Sequence, residues 1–274
     1  MDKSRSKRDR SSRTCTPSDS TRSKILNSTD HSSDHEFATH LATQTGKLLV
    51  ELRNDLVARG FYGWDLKDAG DAMAQEFLMS QLREFRPDDA VLSEEALDTA
   101  KRLSAERVWI IDPLDGTQEF SEPDRSDWAV HIALWQRDET SHGNLAVAAV
   151  SLPAIEITLS TNPAPTLPPK HNGPPRLVVS RSRTPREAVI VAEALGCDAM
   201  RLGSAGAKAM SVVLGECDIY LHTGGQHQWD SAAPVAVARA AGLFTSRIDG
   251  SPLIYNEQDT WLPDLIICRP ELAE

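Results

Sequence analysis

Cysteine is scarce in this chain: only Cys15, Cys197, Cys217 and Cys268 occur, and none sits at CxxC or Cys/His spacing. That pattern suggests neither a structural zinc site nor a disulfide framework, so the thiols are read as reduced and structural. Net positive charge is lacking as well. Lys and Arg number 29 against 40 Asp and Glu, a formal net charge of −11, and an acidic body would repel nucleic-acid backbones and anionic membrane surfaces. No run approaches the roughly 18 apolar residues that a spanning helix needs. The basic N-terminus has no apolar segment behind it to form a signal peptide, so the expected location is cytoplasmic, with no membrane partner and no specific nucleic acid. No internal repeat is evident. What remains open is a compact acidic site that recruits cations.

At 274 residues the chain can form one large domain or two modest ones with a cleft between them. Residues 1–24 carry eight basic and three acidic side chains, a net of +5, which leaves −16 for the rest of the −11 total. This Ser/Arg/Lys-rich stretch is poor in apolar residues, and residues 1–36 are expected to be a disordered basic tail. FATHLATQTGKLLVELRNDLVAR (37–59) and DAMAQEFLMSQLREF (71–85) have helical spacing. VWIID, WAVHIALW, LAVAAVSLP and IEITLS read as strands. The connector TNPAPTLPPKHNGPP (161–175), with six prolines, continues neither element type. Beyond it RLVVSRS reads as a strand, TPREAVIVAEALG as a helix stopped by Gly196, and further strand and helix patterns alternate. An N-terminal α+β lobe (37–165) and a C-terminal α/β lobe (176–274) are therefore expected.

The segment VWIIDPLDGT (108–117) places two acids, a proline and Asp-Gly-Thr at the end of an apolar run. Proline disfavours the helical region for the residue before it, so Asp112 should stay extended at the strand end. Gly116–Thr117 can then begin a helix whose first N–H groups are free to receive a phosphate. An EF-hand loop is excluded, because Gly116 at loop position 6 would put Ile111 and Pro113 where ligands belong. Read alone, the segment also suits a hairpin turn, although TQEFSEPDRSD does not alternate as a partner strand. Glu94 and Glu95 in AVLSEEALD suit a solvated helix start capped by Ser93. Asp230 in QWDSAAPVAVARAAG suits a helix N-cap, with the helix closed by Gly242.

Taken together, SEE (93–95), WIIDPLDGT (109–117) and WDSAA (229–233) resemble the inositol monophosphatase superfamily of metal-dependent phosphomonoesterases, in order and in spacing. DPLDGTQEF followed by SDWAVHIALW, together with LVVSRSRT, GSAGAK and GECDIYLHTG, is similar to its 3′(2′),5′-bisphosphate nucleotidase branch. The resemblance covers roughly residues 37–270 and leaves the tail unexplained. It implies a two-lobed, layered αβαβα sandwich of the inositol monophosphatase and fructose-1,6-bisphosphatase type. The implied activity is removal of the 3′-phosphate from 3′-phosphoadenosine 5′-phosphate, extending to the 5′-phosphosulfate form. Such an activity would clear a by-product of sulfate assimilation, be inhibited by Li⁺, and is compatible with a homodimer.

The resemblance also assigns roles. Glu94, Asp112 and the Leu114 carbonyl would hold one Mg²⁺, and Asp112, Asp115 and Asp230 a second. The Gly116 and Thr117 amides would grip the phosphate, and the Thr117 hydroxyl with Glu95 or Asp68 would orient the attacking water. The branch usually carries an upstream K-x-D-x-S-P-V-T-x-A-D stretch that supplies a third metal contact and an acid. Here only WDLKDAGDAMAQEF stands in its place, with Asp71 matching the final acid and Asp68 a substitute for the missing one. Two or three ions per site are therefore expected. Ser180, Arg181, Ser204, Lys208 and Gln228 would face the substrate, and Arg183 replaces the histidine that often follows SRS. Within the enzyme class the alternatives are inositol-1-phosphate and fructose-1,6-bisphosphate hydrolysis. Outside it, the alternative is a phosphate-ligand sensor or RNA-binding protein that uses the basic tail.

Overall fold

The computed structural model describes residues 33–139 and 142–273, so most of the expected disordered tail lies outside the described residues. The first half contains α1 (Asp34–Ala58), α2 (Trp64–Phe85), β1 (Ala90–Ser93), β2 (Arg107–Asp115), α3 (Thr117–Phe120), β3 (Ala129–Gln136), β4 (Asn144–Leu152) and β5 (Ile157–Ser160). The second half contains β6 (Arg176–Ser180), α4 (Arg186–Leu195), β7 (Asp198–Leu202), α5 (Ala205–Val213), β8 (Ile219–His227), α6 (Gln228–Ala240), β9 (Phe244–Ser246) and β10 (Trp261–Cys268). Strands β1 to β5 form one sheet in chain order, and the other sheet runs β7-β6-β8-β10-β9.

Strand β2 explains the layering. Its apolar run is continuous because both faces are covered. Trp109 and Ile111 pack with Phe37, Leu41, Leu49 and Leu78 of α1 and α2. Val108 and Ile110 point the other way, into a cluster with Met210 and Val213 of α5, Val235 and Val237 of α6, and Val178, Tyr220 and Ile267 of the second sheet. The outer face of that sheet, Leu177, Val179, Ile219 and Leu221, packs on Ala188 of α4. The order is helix, sheet, helix, sheet, helix. The middle helices come from the second half of the chain, yet they share one apolar cluster with the first sheet.

Four local differences from the sequence expectations have physical causes. Helix α1 starts three residues before Phe37, because the Ser33 hydroxyl accepts the Glu36 N–H at 3.2 Å and Glu36 accepts the Ser33 N–H at 3.3 Å. Helix α2 begins at Trp64, seven residues before the expected start at Asp71, so Asp68 and Asp71 share one helix. Gly70 permits this: a Cβ there would stand 2.7 Å from Leu114 Cδ2 and 2.8 Å from Phe120 Cε1, so any other residue would have to displace those side chains for α2 to approach the DPLDGT turn. Helix α6 begins at Gln228 with His227 as its cap, so Asp230 is not the N-cap. Its carboxylate instead accepts the His227 N–H at 2.6 Å from within the first turn. Pro234 consequently lies inside the helix and has no N–H to give the Asp230 carbonyl. Strand β7 was not anticipated, because DAMRL is an exposed edge with no apolar alternation. Among the described residues no helix is long and apolar enough to cross a membrane.

Candidate metal centre

The DPLD segment folds back on itself at the end of β2. Pairing with β3 shifts register between Asp112 and Asp115, where Pro113 cannot donate to the ladder. The Leu114 N–H turns inward and donates to Asp112 Oδ1 at 3.0 Å. Gly116 follows with φ +87°, a left-handed conformation that releases the chain into the single turn of α3. Across the interlayer space, α6 brings in Asp230. Carboxylate oxygens of Asp112, Asp115 and Asp230 lie within 4.8 Å of one another.

Three acids this close repel, and each responds differently. Asp112 is fully buried, and burial together with the charges of Glu94, Asp115 and Asp230 pushes its carboxyl well above the usual range. Its Oδ2 is buried with no hydrogen-bond partner. Asp230 is pushed up to about 6 by burial and by Asp115, against the His227 N–H. Burial also works to raise Asp115, but His131 at 3.2 Å and the Ser204 hydroxyl at 2.6 Å outweigh it and hold this acid at about 2. Asp115 further accepts the N–H groups of Ala205 and Gly206, at 3.2 and 2.6 Å, at the start of α5. Glu94 lies in the turn after β1, exposed on one side and outside the three-acid group. Its carboxyl is pushed up to about 7 by partial burial and by Asp230, Asp115 and Glu95.

A second acidic patch flanks the first. The Thr117 hydroxyl lies 3.2 Å from the Leu114 carbonyl and 3.4 Å from Asp71 Oδ1. Asp71 is pushed up to about 7, by burial first and then by the charge of Glu95, with a smaller contribution from Asp68. Asp68 and Glu95 are both exposed, and Asp71 is the acid in contact with Thr117.

The groups expected to face a substrate are mostly turned inward. Lys208 is buried, its ammonium pushed down by burial and bonded to the carbonyls of Gly203 and Ser204. Ser204 caps α5 and donates to Asp115. Arg181 pairs with Glu119 at 2.5 Å and Glu122 at 2.6 Å. The Gln228 amide donates to the Asp259 carbonyl and accepts the Asn256 N–H. Ser180 contacts Ser182 at the exposed end of β6. Lys208, Ser204 and Gln228 are thus each engaged in internal hydrogen bonds.

His131 was missed by sequence reasoning. It stands opposite Asp112 in the β2–β3 register, fully buried. Nδ1 lies 3.1 Å from the Trp229 carbonyl and Nε2 faces Asp115. Burial works against its charge, yet Asp115 and the Trp229 carbonyl raise it above the ordinary histidine value. The signal was available in WAVHIALW: His131 is the polar member of an otherwise apolar face with Ala129 and Ala133.

The donor set tests well against a hard divalent cation. All the converging atoms are oxygens, and buried Asp112 Oδ2 has no hydrogen-bond partner, with His131 Nδ1 4.0 Å away, so a cation could complete its surroundings. Comparison with known proteins agrees. The chain is 49% identical over 232 residues to a protein of Mycobacterium tuberculosis named 3′-phosphoadenosine 5′-phosphate phosphatase, covering 83% of this chain and 86% of that one. It is 30% identical over 205 residues to the 3′(2′),5′-bisphosphate nucleotidase CysQ of Escherichia coli K12, covering 71% and 81%. The crystal structure of CysQ from Bacteroides thetaiotaomicron superposes with a TM-score of 0.70 at 24% identity, over 85% of this chain and 95% of that one. Residues 30–271 match the inositol monophosphatase family as a unit, and this chain, which gathers Asp112, Asp115 and Asp230 at one place, belongs to it.

Proposed function

We propose that this phosphatase is a Mg²⁺-dependent 3′(2′),5′-bisphosphate nucleotidase that removes the 3′-phosphate of 3′-phosphoadenosine 5′-phosphate, and of its 5′-phosphosulfate relative, in the cytoplasm. The observation that carries the reading is the convergence of Asp112, Asp115 and Asp230 around a buried oxygen with no partner. The curated relatives at 49% identity support the substrate.

In this reading Glu94, Asp112 and the Leu114 carbonyl would hold one Mg²⁺, Asp112, Asp115 and Asp230 would hold a second, and Asp71 would contact a third if one binds. When bound, the ions neutralise phosphate oxygens and lower the pKa of water. The remaining work falls to the chain. Asp112 joins the two groups of ligands, and the turn that bonds it to Leu114 fixes its orientation. Thr117, close to Asp71, holds a hydroxyl at the start of α3, where it can orient a water. The acid that takes the proton is Asp71, Glu95 or Asp68; Asp71 has the direct contact with Thr117 and a value of about 7. The Gly116 and Thr117 amides face the phosphate; α3 is one turn long, so individual N–H groups matter here more than a helix dipole. Ser204, Lys208 and Gln228 act as supports, while Ser180, Arg181 and Arg183 border the substrate.

Phosphate release should be measured from 3′-phosphoadenosine 5′-phosphate, inositol-1-phosphate and fructose-1,6-bisphosphate, with Mg²⁺, with chelator and with added Li⁺. Highest turnover on the nucleotide, abolished by chelation and inhibited by Li⁺, is expected. A preference for either sugar phosphate overturns the nucleotidase assignment and leaves the phosphatase standing.

A further inference from the structure

Between the Glu94 turn and the start of α6 runs a buried polar chain that no part of the reaction uses. Arg102, in the 3₁₀ helix Ala100–Ser104, is 1% exposed. Its guanidinium grips Asp98 in two-pronged fashion, at 2.7 and 2.9 Å, in the segment that follows Glu94 and Glu95. A third nitrogen donates to Asn256 Oδ1 at 2.9 Å, and the Asn256 amide returns a bond to the Arg102 carbonyl at 3.3 Å. The Asn256 N–H donates to Gln228 Oε1 at 2.6 Å, and Gln228 is the first residue of α6, two before Asp230. Gln228 is held again by the Asp259 and Thr260 carbonyls, at 3.0 and 2.9 Å. Asn256 takes φ +60°, which asparagine tolerates better than other side chains.

A guanidinium this buried costs desolvation that an apolar side chain would avoid, so packing alone does not account for an arginine here. Its planar fork instead ties its own segment, at Asp98, to the distant Asn256–Gln258 segment, which in turn holds Gln228. We propose that Arg102 is a positioning residue for the metal centre: through Asn256 and Gln228 it fixes where α6 presents Asp230 relative to Glu94, which comes from the other half of the molecule. This deepens the metal-dependent reading and rests on it. Groups that orient ligands without touching the ion commonly change metal affinity by about 10–100-fold when removed.

The test compares wild type, Arg102→Met, Arg102→Lys and Asn256→Gly, the last keeping the left-handed backbone while deleting the amide. Three quantities are read: the Mg²⁺ concentration giving half the Mg²⁺-induced rise in melting temperature, the Mg²⁺ midpoint of phosphate release, and its kcat. Arg102→Met and Asn256→Gly are expected to raise both midpoints about tenfold, with kcat at saturating Mg²⁺ within about threefold of wild type. Arg102→Lys should fall between, since an ammonium cannot bond Asp98 twice and reach Asn256 as well. Should Arg102→Met fail to fold, Asn256→Gly decides. Lower melting temperatures in chelator with unchanged Mg²⁺ midpoints would reduce Arg102 to a structural part and overturn the proposal. A wild-type protein with no Mg²⁺ response would overturn the metal-dependent reading itself.

Discussion

The two ends of the DPLD segment, three residues apart, sit in opposite electrostatic surroundings. The Asp112 end is a buried strand terminus where one N–H supports the carboxyl and three other acids repel it. The Asp115 end is a cap on α5, where Ser204, two backbone N–H groups and His131 converge on one carboxylate. One acid is destabilised in the folded protein without a cation, and the other is stabilised with or without one. In the proposed reading such a set would divide the labour: Asp115 ties the end of β2 to the start of α5, and Asp112, whose charge is opposed by burial and by three other acids, would gain most from a cation.

Substitutions at the two ends should therefore move stability in opposite directions. Asp112→Asn is expected to lower phosphate release by on the order of 10³-fold, about 4 kcal/mol of barrier. Its melting temperature in chelator should equal or exceed that of wild type, because a repelled buried carboxyl is gone. A marked loss of stability in chelator would show that Asp112 is structural and erase the contrast. His131→Leu strips the partner from buried Asp115 and should cost about 3–5 kcal/mol of unfolding free energy by denaturant titration. Ser204→Ala removes one hydrogen bond to a charged acceptor and should cost about 1.5–3 kcal/mol in the same assay.

Acidity sharpens the contrast further. Glu94 at about 7, Asp230 at about 6 and Asp112 above the usual range bind protons more readily folded than unfolded, where carboxyls titrate near about 4. Without metal the folded state should lose stability as pH rises from about 4 to about 7, with no recovery above. His131, raised when folded, acts in the same direction: its contribution is present below the unfolded value and lost as pH rises through the folded one. Asp115, held at about 2, contributes above its unfolded value and loses that only as pH falls toward 2. Because Mg²⁺ competes with protons for the raised acids, it should increase the melting temperature more at pH 8 than at pH 5.5. An equal shift at both would count against an ion bound by these acids.

Much of this organisation was legible in residues 108–117, because period, proline placement and paired acids all act locally. The burial of both faces of β2 followed from its unbroken apolar run. Less could be read where a side chain's use depends on what packs against it. Lys208 looks like an exposed helix lysine or an anion ligand until Gly203 and Ser204 close over its ammonium. Asp230 has the residue type and position of a cap, but its place in the first turn is set by the bond to the His227 N–H. The helical spacing was read only from Asp71 on, whereas α2 starts at Trp64 and Gly70 serves its close approach to Leu114. Arg102 and Asn256 lie 154 positions apart, beyond any local pattern.

The shared middle layer has a consequence for the order of assembly. A ribosome-bound chain that has emerged only as far as residue 200 already carries Asp112 and Asp115, but neither α5 nor α6, so the inner face of its first sheet has nothing to cover it. The three acids can come together only once nearly the whole polypeptide is made, and the half-made protein should be a client for chaperones until its last third docks.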